Sequence, residues 1–154
     1  MWEQLRRFSN LSAAARVLFL RAVVLLPLVA LRLRTQGFQS TKNLLQKPLD
    51  SSSFSQFDFK NDERAALTAR MVRAAARHGI GNPSCLEESL VLIHLLGKQG
   101  IASQLRIGVK KNIPKFEAHA WVECGGVALN ESEALHDHYA PFEAKFSSIP
   151  PAQS

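Results

Sequence analysis

The chain has 154 residues, 46% hydrophobic and 21% charged, which allows one domain with a real core and excludes a disordered or fibrous chain. Two cysteines, Cys85 and Cys124, exclude a disulfide framework, and no C-x-x-C pair signals zinc or redox chemistry. The formal charge is +6, with eight Arg/Lys against two acidic residues in 1–50 and eleven of each in 51–154. The excess therefore lies on the N-terminal third, a face that suits an acidic peptide or protein, a membrane surface or nucleic acid.

Residues 10–34 read as a helix capped by Asn10 or Ser12 and filled with Leu, Ala, Val and Arg. Pro27 is expected to kink or split it, and a second helix is expected over 41–46. The uninterrupted apolar stretch, 22–31, is shorter than the ~20 residues of a membrane span. It is followed by Arg32-Leu33-Arg34-Thr35 rather than by small residues of a cleavage site. Neither export nor a span is expected, and the simplest setting is cytoplasmic. Residues 12–34 leave room for peripheral contact with a membrane surface.

Residues 1–50 thus form a basic, leucine-rich helical part, and 51–61, opening with Ser51-Ser52-Ser53, read as a linker. A core region is expected over 62–146 and a tail over 147–154. The core region opens with a helix over 62–78 that turns Leu67, Met71 and Ala74 or Ala75 inward and most of its arginines outward. Gly79-Ile80-Gly81-Asn82-Pro83 ends it. Ser84-Cys85-Leu86-Glu87 is an S-x-x-E capping box ahead of an apolar run, so a buried helix starts there and stops near Gly97 or Gly100. Strand alternation follows over 102–109 and 116–124, and Gly125-Gly126 suits a hairpin turn returning through 127–129. Helices first and strands after describe an α+β domain.

Cys85 follows the cap residue Ser84, where unpaired backbone N–H groups and the helix dipole favour a thiolate and offer half an oxyanion hole. The alternative is a small buried hydrophobe. His119 shares one strand face with Glu117, Trp121 and Glu123, and small alanines flank it. A buried helix packed on that strand would pair the thiol with the imidazole, the arrangement that activates a sulfur nucleophile. A core histidine is the alternative. A third group should orient the imidazole, and Asn130 or Glu131, at the end of the returning strand, stands in position. His136-Asp137-His138 lacks further metal ligands and reads as a solvated loop. Cys124 and Trp121 read as packing residues, Trp121 with a share in the site wall. His94 reads as a core residue and His78 as a helix-end cation. Tyr139 and Phe142 read as anchors of the C-terminal segment.

The ordered set of Ser84-Cys85-Leu86-Glu87-Glu88-Ser89-Leu90, Leu95-Leu96, Gly100-Ile101-Ala102, Ile107-Gly108-Val109 and Ala118-His119-Ala120-Trp121-Val122-Glu123 resembles the transglutaminase-like peptidases of lasso-peptide biosynthesis. The resemblance covers about residues 60–143, and more weakly the basic helices before them. It implies a papain-like or transglutaminase-like α+β core, a buried helix bearing the cysteine packed on an antiparallel sheet bearing the histidine. It implies a cysteine peptidase that removes the leader from a ribosomally made precursor, with Cys85 as nucleophile and His119 as its partner. Where that family has an aspartate after Leu-Asn, this chain has Glu131, which leaves Glu131 or Asn130 for the third role. The implied partners are the precursor's leader peptide, a small leader-binding protein and the lasso cyclase, with no nucleic acid. No metal or organic cofactor is implied. The basic N-terminal helices are the expected docking face for the leader-binding protein.

Overall fold

Residues from Ala13 onward are rich in leucine and alanine, and Pro27 alone among helix breakers stands before Gly37. In the computed structural model, which describes residues 12–45, 59–110, 118–130 and 139–141, they form the helical stretch α1 (Ala13–Leu45), two helices joined across a kink. Ser12 caps it, its Oγ accepting from Ala15 N–H at 3.2 Å. The break differs from expectation. Pro27 stays within the helix, and the non-helical residue is Gly37, at φ 77° and ψ 176°. Pro27 is exposed, and its missing N–H takes one helical bond from the Val23 carbonyl without ending the helix. Only glycine enters the Gly37 conformation without a Cβ penalty. The segment expected as a second helix thus lies in the short helix that follows the Gly37 break, which runs to Leu45. There the fully buried Thr41 hydroxyl donates to the Gly37 carbonyl at 2.8 Å.

The next helix, α2 (Phe59–His78), starts three residues ahead of the expected start. Ala65, Ala69, Val72 and Ala75 recur at helical spacing and are buried, while Arg64, Arg70, Arg73 and Arg77 are exposed. Leu67, expected inside, is only partly covered. His78 is exposed in the last turn, where a cation suits the dipole.

The buried helix α3 (Cys85–Lys98) carries both halves of the capping box. Ser84 Oγ accepts from Glu87 N–H at 3.3 Å, and Ser84 N–H donates to Glu87 Oε2 at 2.7 Å. Its other end closes through Gly100, at φ 72°. Ile101 N–H donates to the Leu96 carbonyl at 3.0 Å and Gly100 N–H to that of Gly97 at 3.1 Å. This is the pairing a left-handed glycine allows after a helix. Leu90, Val91, Leu92 and Leu96 are inaccessible to solvent. Each such aliphatic side chain stabilises the fold by about 1.5–3 kcal/mol.

Four antiparallel strands follow, β1 (Gln104–Lys110), β2 (Ala118–Cys124), β3 (Val127–Ala128) and β4 (Tyr139–Pro141), in the order β3-β2-β1-β4. Gly125 and Gly126, at φ 58° and 84°, make the expected two-residue turn between β2 and β3. The short β4, paired to β1 through Gly108–Pro141 to Lys110–Tyr139, was expected only as an anchoring segment. One core joins all layers. Ala22, Leu26 and Val29 of α1 meet Val72 and Ala75 of α2, the apolar residues of α3, and Val122 of β2. Residues on either side of the expected boundary at 50 therefore share a core. Helices packed on an antiparallel sheet make this an α+β fold, as expected.

Candidate active site

Cys85 is the first residue of α3 and is partly buried. The capping box uses the Ser84 and Glu87 N–H groups, and Glu88 N–H makes the first helical bond, to the Ser84 carbonyl at 3.0 Å. The Cys85 and Leu86 N–H groups are the two that the helix itself leaves unused. They sit at the positive end of the helix, beside the Cys85 thiol.

His119 is the second residue of β2, paired with Gly108 of β1 and partly buried. Its ring lies 6.2 Å from that of Trp121, the planes inclined by 19°. Trp121 is buried, and its indole N–H donates to Glu123 Oε1 at 3.0 Å. The other carboxylate oxygen, Glu123 Oε2, accepts from Arg106 Nε at 3.0 Å across the strand pair. The strand face predicted from alternation thus becomes a ladder. Arg106 holds Glu123, Glu123 holds the indole, and the indole flanks the imidazole.

A brace ties the helix that Cys85 begins to the strand that carries His119. Ser89 lies one helical turn after Cys85 and is fully buried. Its hydroxyl donates to the Ala120 carbonyl at 3.0 Å, at the residue following His119. Asn130 Nδ2 donates to the same hydroxyl at 2.9 Å, and Asn130 Oδ1 accepts from Val122 N–H at 2.8 Å. Beyond Ala128 the edge of β2 has no further strand of β3 to pair with, so these side chains, with Leu129 N–H on the Val122 carbonyl at 2.9 Å, satisfy it. The second turn of α3 is thereby tied to β2 at the residue that follows His119.

Among the expected third residues, Asn130 is built into this brace, and Glu131 lies outside the described residues. His136-Asp137-His138, Glu117, Phe142 and the 147–154 tail lie outside them as well. Among the described residues, no group of three or more His, Cys, Asp or Glu side chains is arranged to hold a metal. Cys124 is a packing residue, as expected. It sits against the core, its Sγ donating to the Ala102 carbonyl at 3.4 Å. Burial, then the nearby negative charge of Asp62, push its thiol above the ordinary range. His94 departs from expectation, being only partly buried. Its Nδ1–H donates to the Leu45 carbonyl at 3.2 Å, at the end of α1, because a carbonyl can only accept.

Ser89 was overlooked in the sequence, although a hydroxyl within the run Leu86 to Leu96 needs a partner once that helix is buried. Alternation put Trp121 and Glu123 on one face, and nothing in the sequence pointed to Arg106 as the cross-strand partner of Glu123.

A family model described as the transglutaminase-like superfamily matches residues 22–144. No curated protein and no solved structure matches the chain.

Proposed function

The chain belongs to the transglutaminase-like superfamily, and on that footing we propose that it is a cysteine peptidase that removes the leader from a ribosomally made lasso-peptide precursor. The superfamily includes cysteine peptidases and acyltransferases. The observation that supports the reading is the Ser89 brace, which ties the helix that Cys85 begins to the strand that carries His119. The motif resemblance over residues 60–143 supports the narrower substrate.

In this reading the Cys85 thiolate attacks the carbonyl carbon of the leader–core bond. The oxyanion that forms is met by the Cys85 N–H, a donor that the helix does not use. Protonated His119 gives its proton to the departing amine of the core peptide, leaving the leader as a thioester on Cys85. His119 then takes a proton from water, which attacks the thioester and releases the leader acid. Glu131 orients the imidazole, and the Trp121 ring limits its movement on one side. The chemistry calls on a thiol, an imidazole and water, with no cofactor. A small leader-binding protein presents the precursor.

The test is mass spectrometry of precursor peptide incubated with the leader-binding protein and either wild-type protein or Cys85→Ala. Cleavage at one bond by the wild type alone is expected. Cleavage by both refutes Cys85, and binding without cleavage by either refutes the peptidase. A product heavier by an added amine would instead identify an amide-forming transferase.

A further inference from the structure

Among the described residues, one face of α1 is left exposed. Ala15, Leu18, Ala22, Leu26 and Val29 turn into the core, while Val17, Leu20, Val24, Leu28 and Leu31 are 47–61% exposed. The exposed set recurs every three or four residues, a stripe about 21 Å long at the helical rise per residue. Nothing acidic lies along the helix. Residues 12–45 contain Arg16, Arg21, Arg32, Arg34 and Lys42 and no Asp or Glu. Arg16, Arg21 and Arg34 are exposed. At the middle of the stripe, Leu20 and Val24 also form one wall of a groove of about 550 Å³, completed by Leu25 and Leu95 and bearing Arg21, His94 and Lys98.

We propose that this face of α1 lies on an anionic lipid bilayer, with the stripe in the acyl boundary and the arginines among the headgroups. Charge complementarity selects the occupant. An unbroken aliphatic stripe beside basic residues alone matches the interfacial helix that anionic lipid attracts. The large stripe residues are all valine and leucine, without the tyrosine, tryptophan or methionine that anchor protein interfaces. The helix lies in the plane. By length and composition it could cross a membrane, but its opposite face is packed on α2 and α3. Insertion would carry the exposed arginines of α2 into hydrocarbon or break the core. The groove then accommodates an acyl chain of the same leaflet, with its headgroup between Arg21 and Lys98. The charge of this region suits an acidic protein, a membrane surface or nucleic acid alike, and the stripe favours the membrane over the docking of a leader-binding protein.

The test is co-sedimentation of the full chain with phosphatidylcholine vesicles and with vesicles of equal parts phosphatidylcholine and phosphatidylglycerol. Binding is expected to the second only, and to weaken as salt rises. Arg21→Ala and Arg34→Ala should each weaken it about fivefold, and Val24→Asp should abolish it. Val24 is exposed, so an unchanged thermal midpoint will show that this variant is folded. Failure of the wild type to bind, or equal binding by Val24→Asp, overturns the proposal. Self-association relieved by Leu28→Asp, with no vesicle binding, assigns the face to a second copy and also overturns it.

Discussion

Replacing Ser89 with alanine removes one oxygen from the centre of the brace. Two groups lose their partner, the Ala120 carbonyl and the Asn130 amide N–H. Ala120 is buried, so its carbonyl bears a desolvation penalty of about 1–3 kcal/mol. Asn130 is only partly buried and can recover water, so its share is smaller. The predicted loss is about 2–3 kcal/mol, or roughly 5–10 °C in midpoint for a domain of this size. Urea unfolding followed by circular dichroism measures it. The consequence for cleavage should exceed the consequence for folding, because the brace sets how α3, which begins at Cys85, sits on β2, which carries His119. A displacement of about 1 Å between reacting groups can cost about 10²-fold in rate. The expected result is therefore kcat/KM down tenfold or more at a temperature where the variant remains folded. A stability change below about 0.5 kcal/mol, the range of inconsequential surface changes, would refute the reasoning, as would an unaltered cleavage rate.

Burial raises the carboxyl of Glu88, and the attraction of Arg73 and Arg77 offsets only part of that shift. With its folded value above its unfolded value, Glu88 supports the fold most fully below the ordinary carboxylate range and loses that contribution as pH rises through the raised value. Glu88→Gln should therefore raise the urea midpoint near neutral pH and lose its advantage on acidification, and a lower midpoint at pH 7 would count against it. Gly79→Ala should cost about 1–3 kcal/mol in the same assay, since the added Cβ would overlap the Ala75 carbonyl oxygen. Wild-type stability in that variant would mean that the turn after α2 yields freely. If Glu131 orients His119, Glu131→Gln should lower kcat by at least tenfold while Glu131→Asp retains turnover. Equal loss in both variants would mean that the carboxylate is not what matters.

Much of the site's frame could be read from local chemistry. Ser84 and Glu87 are spaced as a capping box, and that pattern fixes where α3 begins and so where Cys85 sits. The Gly125-Gly126 pair and the alternation of 118–124 place His119 and Trp121 on a strand face for equally local reasons. What the sequence concealed depends on tertiary surroundings. Pro27 looks like a breaker but faces water, whereas Gly37 looks permissive and is where the helix breaks. Asn130 looks like an orienting group for the histidine because the returning strand brings it close. Its amide spans Val122 and Ser89, the latter forty-one residues earlier in the chain. The three-residue β4 is too short to show a period, and only pairing to β1 defines it.

The most direct test of Cys85 as the nucleophile is covalent trapping. The protein is incubated with its leader-binding protein and a leader peptide ending in an electrophile that captures thiolates, and the labelled residue is then mapped by tandem mass spectrometry. The account predicts one leader adduct on Cys85, greatly slowed in His119→Ala, and no label on Cys124, whose thiol burial holds protonated. An adduct on Cys124, or labelling of Cys85 at the same rate without His119, would contradict it.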